Sequence, residues 1–563
     1  MRLSKSVQKA SIGKKVSSSA EIKIQNLDHL GIVAGLIDEI GIVEKINEKL
    51  KIDSREKINS GQVVKAMLLN GLGMVSRPLY LFSQFFEDKA VEELLGKGIK
   101  KEYLNDDKIG RVMDEIYQLG LSSLFVELVL AVIKKFKIAT KYAHLDATSF
   151  HLHGEYQGEE IKEENEKVIK ERPILITKGY SRDHRPDLKQ CILDLIVSGD
   201  GNLPLFMRAG DGNESDKAMF AQILLEFKNQ IKFDSILVAD SALYSQENLK
   251  LMEKIKWITR VPLTLKKAKE LIQTVEIEKI KPGKDIEERE RELIKKLEEK
   301  GYNWKEERIT YGGVEQRWLI VESSARKKSD CQKLESKIEK EAEKVEKLLK
   351  RLEKEGFEHY SQARYQLKGI NKKLKFFAIK ETKIIETVNK DEKKVYKIKG
   401  EIELKTQEVE TKRKEAGRFI LATNILDEAE IKPAEILENY KNQQGCERGF
   451  GFLKDPLFFA DSFFVEKPER VETILFLMSL CLLVYNLGQR ELRKSLKRAK
   501  TGVKNQVGKL TDRPTLRWIF QCFQGIHFVF LQGMKQVVNL TEERRMTLTF
   551  LPKACQKYYL LSG

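Results

Sequence analysis

A mixed-sheet α/β protein with a helical N-terminal region is the fold class this sequence predicts, on three observations. The hydrophobic period switches from helical to alternating near residue 142. Short β-prone runs then alternate with helical ones in the order β-β-β-α-β-α-β. A highly charged block, 263–416, separates those runs from a last buried-type strand, GRFILAT at 417–423.

The first ~135 residues read as helices. Ser60 is the expected cap of a segment whose Val63, Val64, Met67 and Leu68 recur at helical spacing. Residues 107–117 and 122–136 repeat the pattern, and Gly71, Gly73 and Pro78 punctuate it. The strand YAHLD at 142–146 ends in an acid, and CILDLIV at 191–197 is the second strand. GDGN at 199–202 signals a hairpin to LPLFMRA at 203–209. Ser215 or Asp216 caps a helix through Phe227, SILVAD at 235–240 is a buried strand ending in an acid, and Ser245 starts another helix before a strand at 257–261.

In the charged block, 302–321 reads as a hairpin about Gly312 and Gly313. Residues 327–355 form a solvated helix with Leu334, Ile338, Ala342, Val345, Leu349 and Leu352 at three- and four-residue steps. Stretches 374–387 and 394–405 suggest a further β ribbon. Pro433 opens a helix towards Lys454, 471–493 forms an apolar helix, and Pro514 starts a last one carrying Trp518, Phe520 and Phe523. The expected division is a basic tail at 1–20, a helical domain at 21–137 that binds DNA, a core in two parts at 138–262 and 417–493, the insertion at 263–416, and a basic, helical region at 494–563.

The 563 residues carry 102 Lys+Arg against 85 Asp+Glu, a net charge of +17, which points to polyanionic partners, DNA or RNA first. Six scattered cysteines without a C-x-x-C pair support neither a zinc finger nor a disulfide framework, and a reduced cytoplasmic protein fits better. The basic N-terminus lacks the apolar core of a secretory signal, and the longest apolar run, 474–485, is too short to span a bilayer, so no membrane is expected.

Asp146 and Asp240 end predicted strands, where carboxylates from neighbouring strands can meet and hold Mg²⁺, which prefers oxygen ligands. On one continuous helix, Tyr440, Gln443, Glu447 and Lys454 fall at about 0°, 300°, 340° and 320°, so an acid shares its face with a phenol and a cation. Gly445, Gly449 and Gly451 weaken that helix and suggest close backbone approach or a partly irregular segment. His144, His151 and His153 cluster around Asp146 without a paired His/Cys site elsewhere, which disfavours zinc. Trp304 and Trp318 fit hairpin packing better than base stacking.

The spacing Tyr440-x2-Gln443-x3-Glu447-x6-Lys454 resembles the Tyr-x2-Arg-x3-Glu-x6-Lys signature of bacterial insertion-sequence transposases of the DDE class. The resemblance continues through YAHLDATSFHLHG around Asp146, GYSRDHRPDLKQ at 179–190, VADSALYSQENL around Asp240 and FLKDPLFFADSFFVEKPERVE at 452–472. It implies a ribonuclease-H-like mixed-sheet core with an α/β insertion, and Asp146, Asp240 and Glu447 as the catalytic, metal-binding triad. It also implies two Mg²⁺ ions, with Mn²⁺ able to substitute. The expected substrates are double-stranded DNA, both transposon-end inverted repeats and target, handled by a homodimer at the nucleoid in the cytoplasm. Expected DNA or phosphate contacts are Tyr440, Gln443, Lys454, Arg448, Arg182, Arg185 and Lys189; for Arg182, Arg185 and Lys189 an ion-paired loop is the competing reading. Gln443 stands where the signature has arginine and loses its charged, bidentate fork. The alternatives are a catalytically silent DNA-binding relative that represses transposition, and a nuclease of related fold.

Overall fold

The computed structural model describes residues 22–560, except 53–54, 75–76, 79–80, 155, 157–171, 181–184, 232–233, 281–285, 389–392, 457–464 and 532–533. The basic tail and Arg182 lie outside the described residues. The chain is a mixed α/β protein that divides into two units: Met1–Glu214, Asn229–Phe233 and Gln444–Gly563 form the first, and Ser215–Lys228 and Asp234–Gln443 the second.

In the first unit, strands Tyr142–Leu152, Lys189–Ser198 and Pro204–Gly210 form an antiparallel meander. Its second turn needs left-handed backbone, which Gly201 (φ 80°) and Asn202 (φ 56°) adopt. Strand Lys189–Ser198 is buried along nearly its whole length, so it is apolar from Cys191 to Val197 except at Asp194, which the Arg208 guanidinium holds at 3.0 Å. Helix Pro468–Arg498 passes through this core with Val471 and Thr473–Gly488 buried, among helices Leu30–Ile40, Ser60–Gly71, Asp106–Gln118 and Leu121–Phe136. By length and composition Pro468–Arg498 could cross a membrane, but its apolar window is packed inside the fold. Asn59, not Ser60, caps its helix: the Asn59 side chain accepts from the Gln62 N–H, and Gln62 answers in a capping box. The N-terminal region also holds a strand, Lys23–Asn26, paired with His527–Leu531, which pairs in turn with Met534–Val538.

In the second unit, Ile236–Ala239 pairs in parallel with Trp257–Val261, and the sheet continues antiparallel through Arg418–Thr423, Val314–Ser323 and Tyr302–Tyr311. The hairpin expected within the insertion is thus built into this sheet, because Arg418–Thr423 lies between it and Trp257–Val261. The ribbon Phe377–Val388 and Lys394–Leu404 is a separate two-stranded sheet. It packs with helices Ser324–Lys354 and Tyr360–Lys373 around Leu334, Val345, Leu352, Phe377 and Ile398.

Two further expectations are corrected. Asp146 lies in mid-strand, opposite Leu195, since the β-prone residues that follow it extend the pairing to Leu152. The helix expected from Pro433 to Lys454 is two, Pro433–Asn442 and Gln444–Leu453. At the junction the Gln443 N–H reaches back three residues to the Tyr440 carbonyl, a tighter turn than the α-helical step of four. Tyr440 and Gln443 therefore belong to the second unit, Glu447 and Lys454 to the first.

Candidate active site

Asp146 is half-buried, and its Oδ1 accepts from the backbone N–H of Ala147 at 2.9 Å, which fixes the carboxylate against its own strand. Helix Gln444–Leu453 brings Cys446 to that strand, where its buried thiol donates to the His144 carbonyl at 3.2 Å. Burial pushes the Cys446 thiol well up, and the negative charges of Asp146 and Glu447 push it further. Both acids thus stand around one inert thiol. The approach depends on Gly445, where a Cβ would lie 2.1 Å from the Asn202 Oδ1. Gly449 faces the Leu482 side chain and Gly451 faces open space, so only Gly445 meets a neighbour closer than a Cβ tolerates, and that neighbour is a side chain rather than backbone.

Glu447 and Arg448 are exposed. Lys454 places its Nζ 5.7 Å from the ring centroid of Phe150, on the strand of Asp146. His144 is fully buried, and among the described residues neither ring nitrogen has a hydrogen-bond partner. Burial lowers its pKa to about 4, so the ring is neutral at physiological pH.

In the second unit, Asp240 follows the wholly buried strand Ile236–Ala239. Its Oδ1 accepts from the Ala242 N–H at 2.8 Å, capping the turn Ser241–Leu243, and its carbonyl accepts from the Thr259 hydroxyl at 2.6 Å. Tyr244, at the end of that turn, donates to the buried Gln316 Oε1 at 2.7 Å and stacks on Tyr311. Burial pushes the Tyr440 phenol up; the positive charges of Arg260 and Arg326 act against this and the negative charge of Asp240 with it. Arg260 and Arg326 place their guanidinium carbons 5.8 and 5.7 Å from the ring centroid of Phe419.

Of the residues singled out by sequence, the structure brings Asp146, Glu447 and Lys454 to one strand–helix pair and Asp240 and Tyr440 to another neighbourhood. Gln443 is buried at the helix junction. Arg185 is held by the Asp187 carboxylate, with contacts of 2.9 and 2.8 Å, as the ion-paired reading requires. Lys189 donates to the Tyr156 carbonyl at 2.9 Å. Trp318 is fully buried and donates to Gln316, which removes it as a stacking platform. Sequence reading missed Arg260, Arg326 and Phe419. Arg260 had a signal, since it is the one charged residue in the strand expected at 257–261. Phe419 had none.

The three acids are hard oxygen donors of the kind that suits Mg²⁺. The softer groups nearby do not compete, because the Cys446 thiol is held protonated and His144 is sealed in the core. Among the described residues, no group of three or more His, Cys, Asp or Glu side chains is placed to hold a metal ion. The fit is therefore one of donor chemistry and of the Asp146–Glu447 pair.

A family model described as a transposase DDE domain matches residues 143–487, and one described as a domain of unknown function matches residues 22–130. No curated protein matches the chain. Among solved structures, the chain is similar to a cryo-EM structure of the piggyBac transposase synaptic complex with hairpin DNA, at 8% identity and a TM-score of 0.35, over 96% of this chain and 84% of that one. It is also similar to the Mos1 transposase paired-end complex with the left transposon end, at 10% identity and a TM-score of 0.14, over 37% of this chain and 60% of that one.

Proposed function

The chain belongs to the transposase DDE domain family, and on that premise we propose that it is a DNA transposase of an insertion sequence that cuts at terminal inverted repeats and joins the freed end to target DNA. The observation that carries this reading is the match over residues 143–487, which takes in Asp146, Asp240 and Glu447 in order. We assign these three as the catalytic carboxylates on a ribonuclease-H-like core. The shared surroundings of Asp146 and Glu447 beside Cys446 support the pairing of the first and last.

Both steps are in-line phosphoryl transfers, in which water and then a DNA 3′-hydroxyl attacks phosphorus and a 3′ oxygen leaves, so no protein nucleophile is needed. Asp146, Asp240 and Glu447 would hold Mg²⁺, which supplies activation of the attacking oxygen and charge stabilisation on the leaving one. Backbone N–H groups fix the rotamers of Asp146 and Asp240, so both carboxylates are oriented before substrate arrives. Lys454 and Tyr440 serve as phosphate contacts. Two element ends have to be held together, so the working form is at least a homodimer on DNA, acting in the bacterial cytoplasm.

The test is to incubate the protein with Mg²⁺ and a DNA fragment that carries the flanking repeats. Nicking at the repeat end, lost in Glu447→Gln while binding persists, is the expected result. Binding without any cut by the wild type would indicate the silent, repressor-like relative instead. Cutting without joining would indicate a nuclease, and a protein that neither binds nor cuts would end the assignment.

A further inference from the structure

Strand Trp257–Val261 carries one charged side chain, Arg260, and its position is specific. Its neighbour Thr259 is in register with Ala239 and hydrogen-bonds the Asp240 carbonyl. Across the sheet Arg260 is opposite Leu421, so its side chain leans over Phe419, two residues along that strand on the same face. Arg326, in the first turn of helix Ser324–Lys354, reaches the same ring. The phenol of Tyr440 hydrogen-bonds the Arg260 guanidinium and senses the charges of Arg326 and the Asp240 carboxylate. Among the described residues Arg260 makes no ion pair, and Arg326 has only a loose, solvent-exposed one with Asp330 at 3.6 Å.

Two guanidinium groups gathered on one aromatic ring repel each other, and an anion between them relieves that repulsion. Their planar donor forks match the oxygens of a phosphate. Gln443, three residues after Tyr440, is neutral and buried, so it brings no charge to this neighbourhood. We propose that Arg260, assisted by Arg326 across Phe419, grips a DNA backbone phosphate beside Asp240. The proposal rests on the transposase reading, and it names the cation that positions the strand near the second carboxylate.

The experiment uses the full chain and a duplex that ends in the element's terminal repeat. Affinity is measured without metal over a series of KCl concentrations, and nicking is measured with Mg²⁺. Arg260→Gln is expected to flatten the slope of log K against log[KCl] by about 0.9, the share of a single phosphate, and to cut nicking at least tenfold. Arg260→Lys should restore the slope but not the nicking rate, because the charge returns without the fork. Gln443→Arg in the Arg260→Gln background should recover part of both. Arg326→Gln, an exposed change that disturbs no core packing, should show the same trend more weakly. Wild-type slope and nicking in both Gln variants would overturn the proposal while the transposase reading stands; a wild type that binds no DNA would overturn both.

Discussion

A carboxylate in the core helix Pro468–Arg498 has to be held in an uncharged or compensated state. Glu472 accepts from the Ile174 N–H at 2.8 Å, yet burial, reinforced by the negative charges of Glu469 and Asp211, pushes its pKa up to about 7. The folded state therefore binds this proton more tightly than the unfolded chain, whose Glu titrates near 4.5. Its contribution to stability is fully present below about pH 4.5 and is lost as pH rises through about 7. Glu472→Gln keeps an oxygen for Ile174 and removes the titration. It should gain stability relative to wild type between pH 5 and pH 8, by on the order of 2 kcal/mol after allowing for partial exposure. Urea unfolding of both proteins at the two pH values checks this, and a constant difference would remove Glu472 as the titrating group. Gly445 sets a second residue-scale expectation. Gly445→Ala would drive a methyl into Asn202 and should destabilise the first unit by about 1–3 kcal/mol. It should also shift Glu447, so thermal melting and nicking are both expected to fall.

At the scale of elements, the apolar stripe of helix Ser324–Lys354 was legible in sequence, because Leu334, Ile338, Ala342, Val345, Leu349 and Leu352 keep helical spacing through a charged surface. What covers the stripe was not. Phe376, Phe377, Ile379 and Ile398 come from segments whose alternation says which face is apolar but not which partner it meets. The same limit hid the inclusion of hairpin Tyr302–Ser323 in the sheet, since strand pairing over a long separation leaves no local signal. Irregularity in this stretch was legible from Gly445, Gly449 and Gly451, but its place at Gln443 was not, because the Gln443 dihedrals, φ −55° and ψ −25°, stay in the helical region and only the hydrogen-bond step changes. Because the ribbon and its helices share their own core, Leu352→Ala should open that core locally at a cost of about 2–5 kcal/mol. Hydrogen exchange is expected to quicken across Phe377–Val388 and Lys394–Leu404 and to stay unchanged in Tyr142–Leu152. Uniform quickening throughout would show that the ribbon does not behave as a separate cooperative unit.

At the scale of the whole molecule, charge is the property that sequence reports most directly and that folding changes least. Many of the 102 basic residues are matched internally, as Lys101 is by Glu87, Lys380 by Glu403 and Lys394 by Glu386. Exposed pairs of this kind add little stability; their effect is to neutralise surface that would otherwise attract any polyanion. The surplus of +17 favours a polyanionic partner, which on the proposed function is the DNA backbone. Each phosphate so neutralised releases condensed counterions, so affinity should fall linearly on a log–log plot as salt rises, with a slope near −0.9 per phosphate. With roughly six to ten phosphates engaged, binding to a terminal-repeat duplex should weaken about 10³- to 10⁵-fold between 50 and 200 mM salt. Titrations of the full chain by fluorescence anisotropy read this slope directly. A binding constant that hardly moves over that range would mean that the basic surface is not what holds DNA, and base contacts would have to carry the affinity instead.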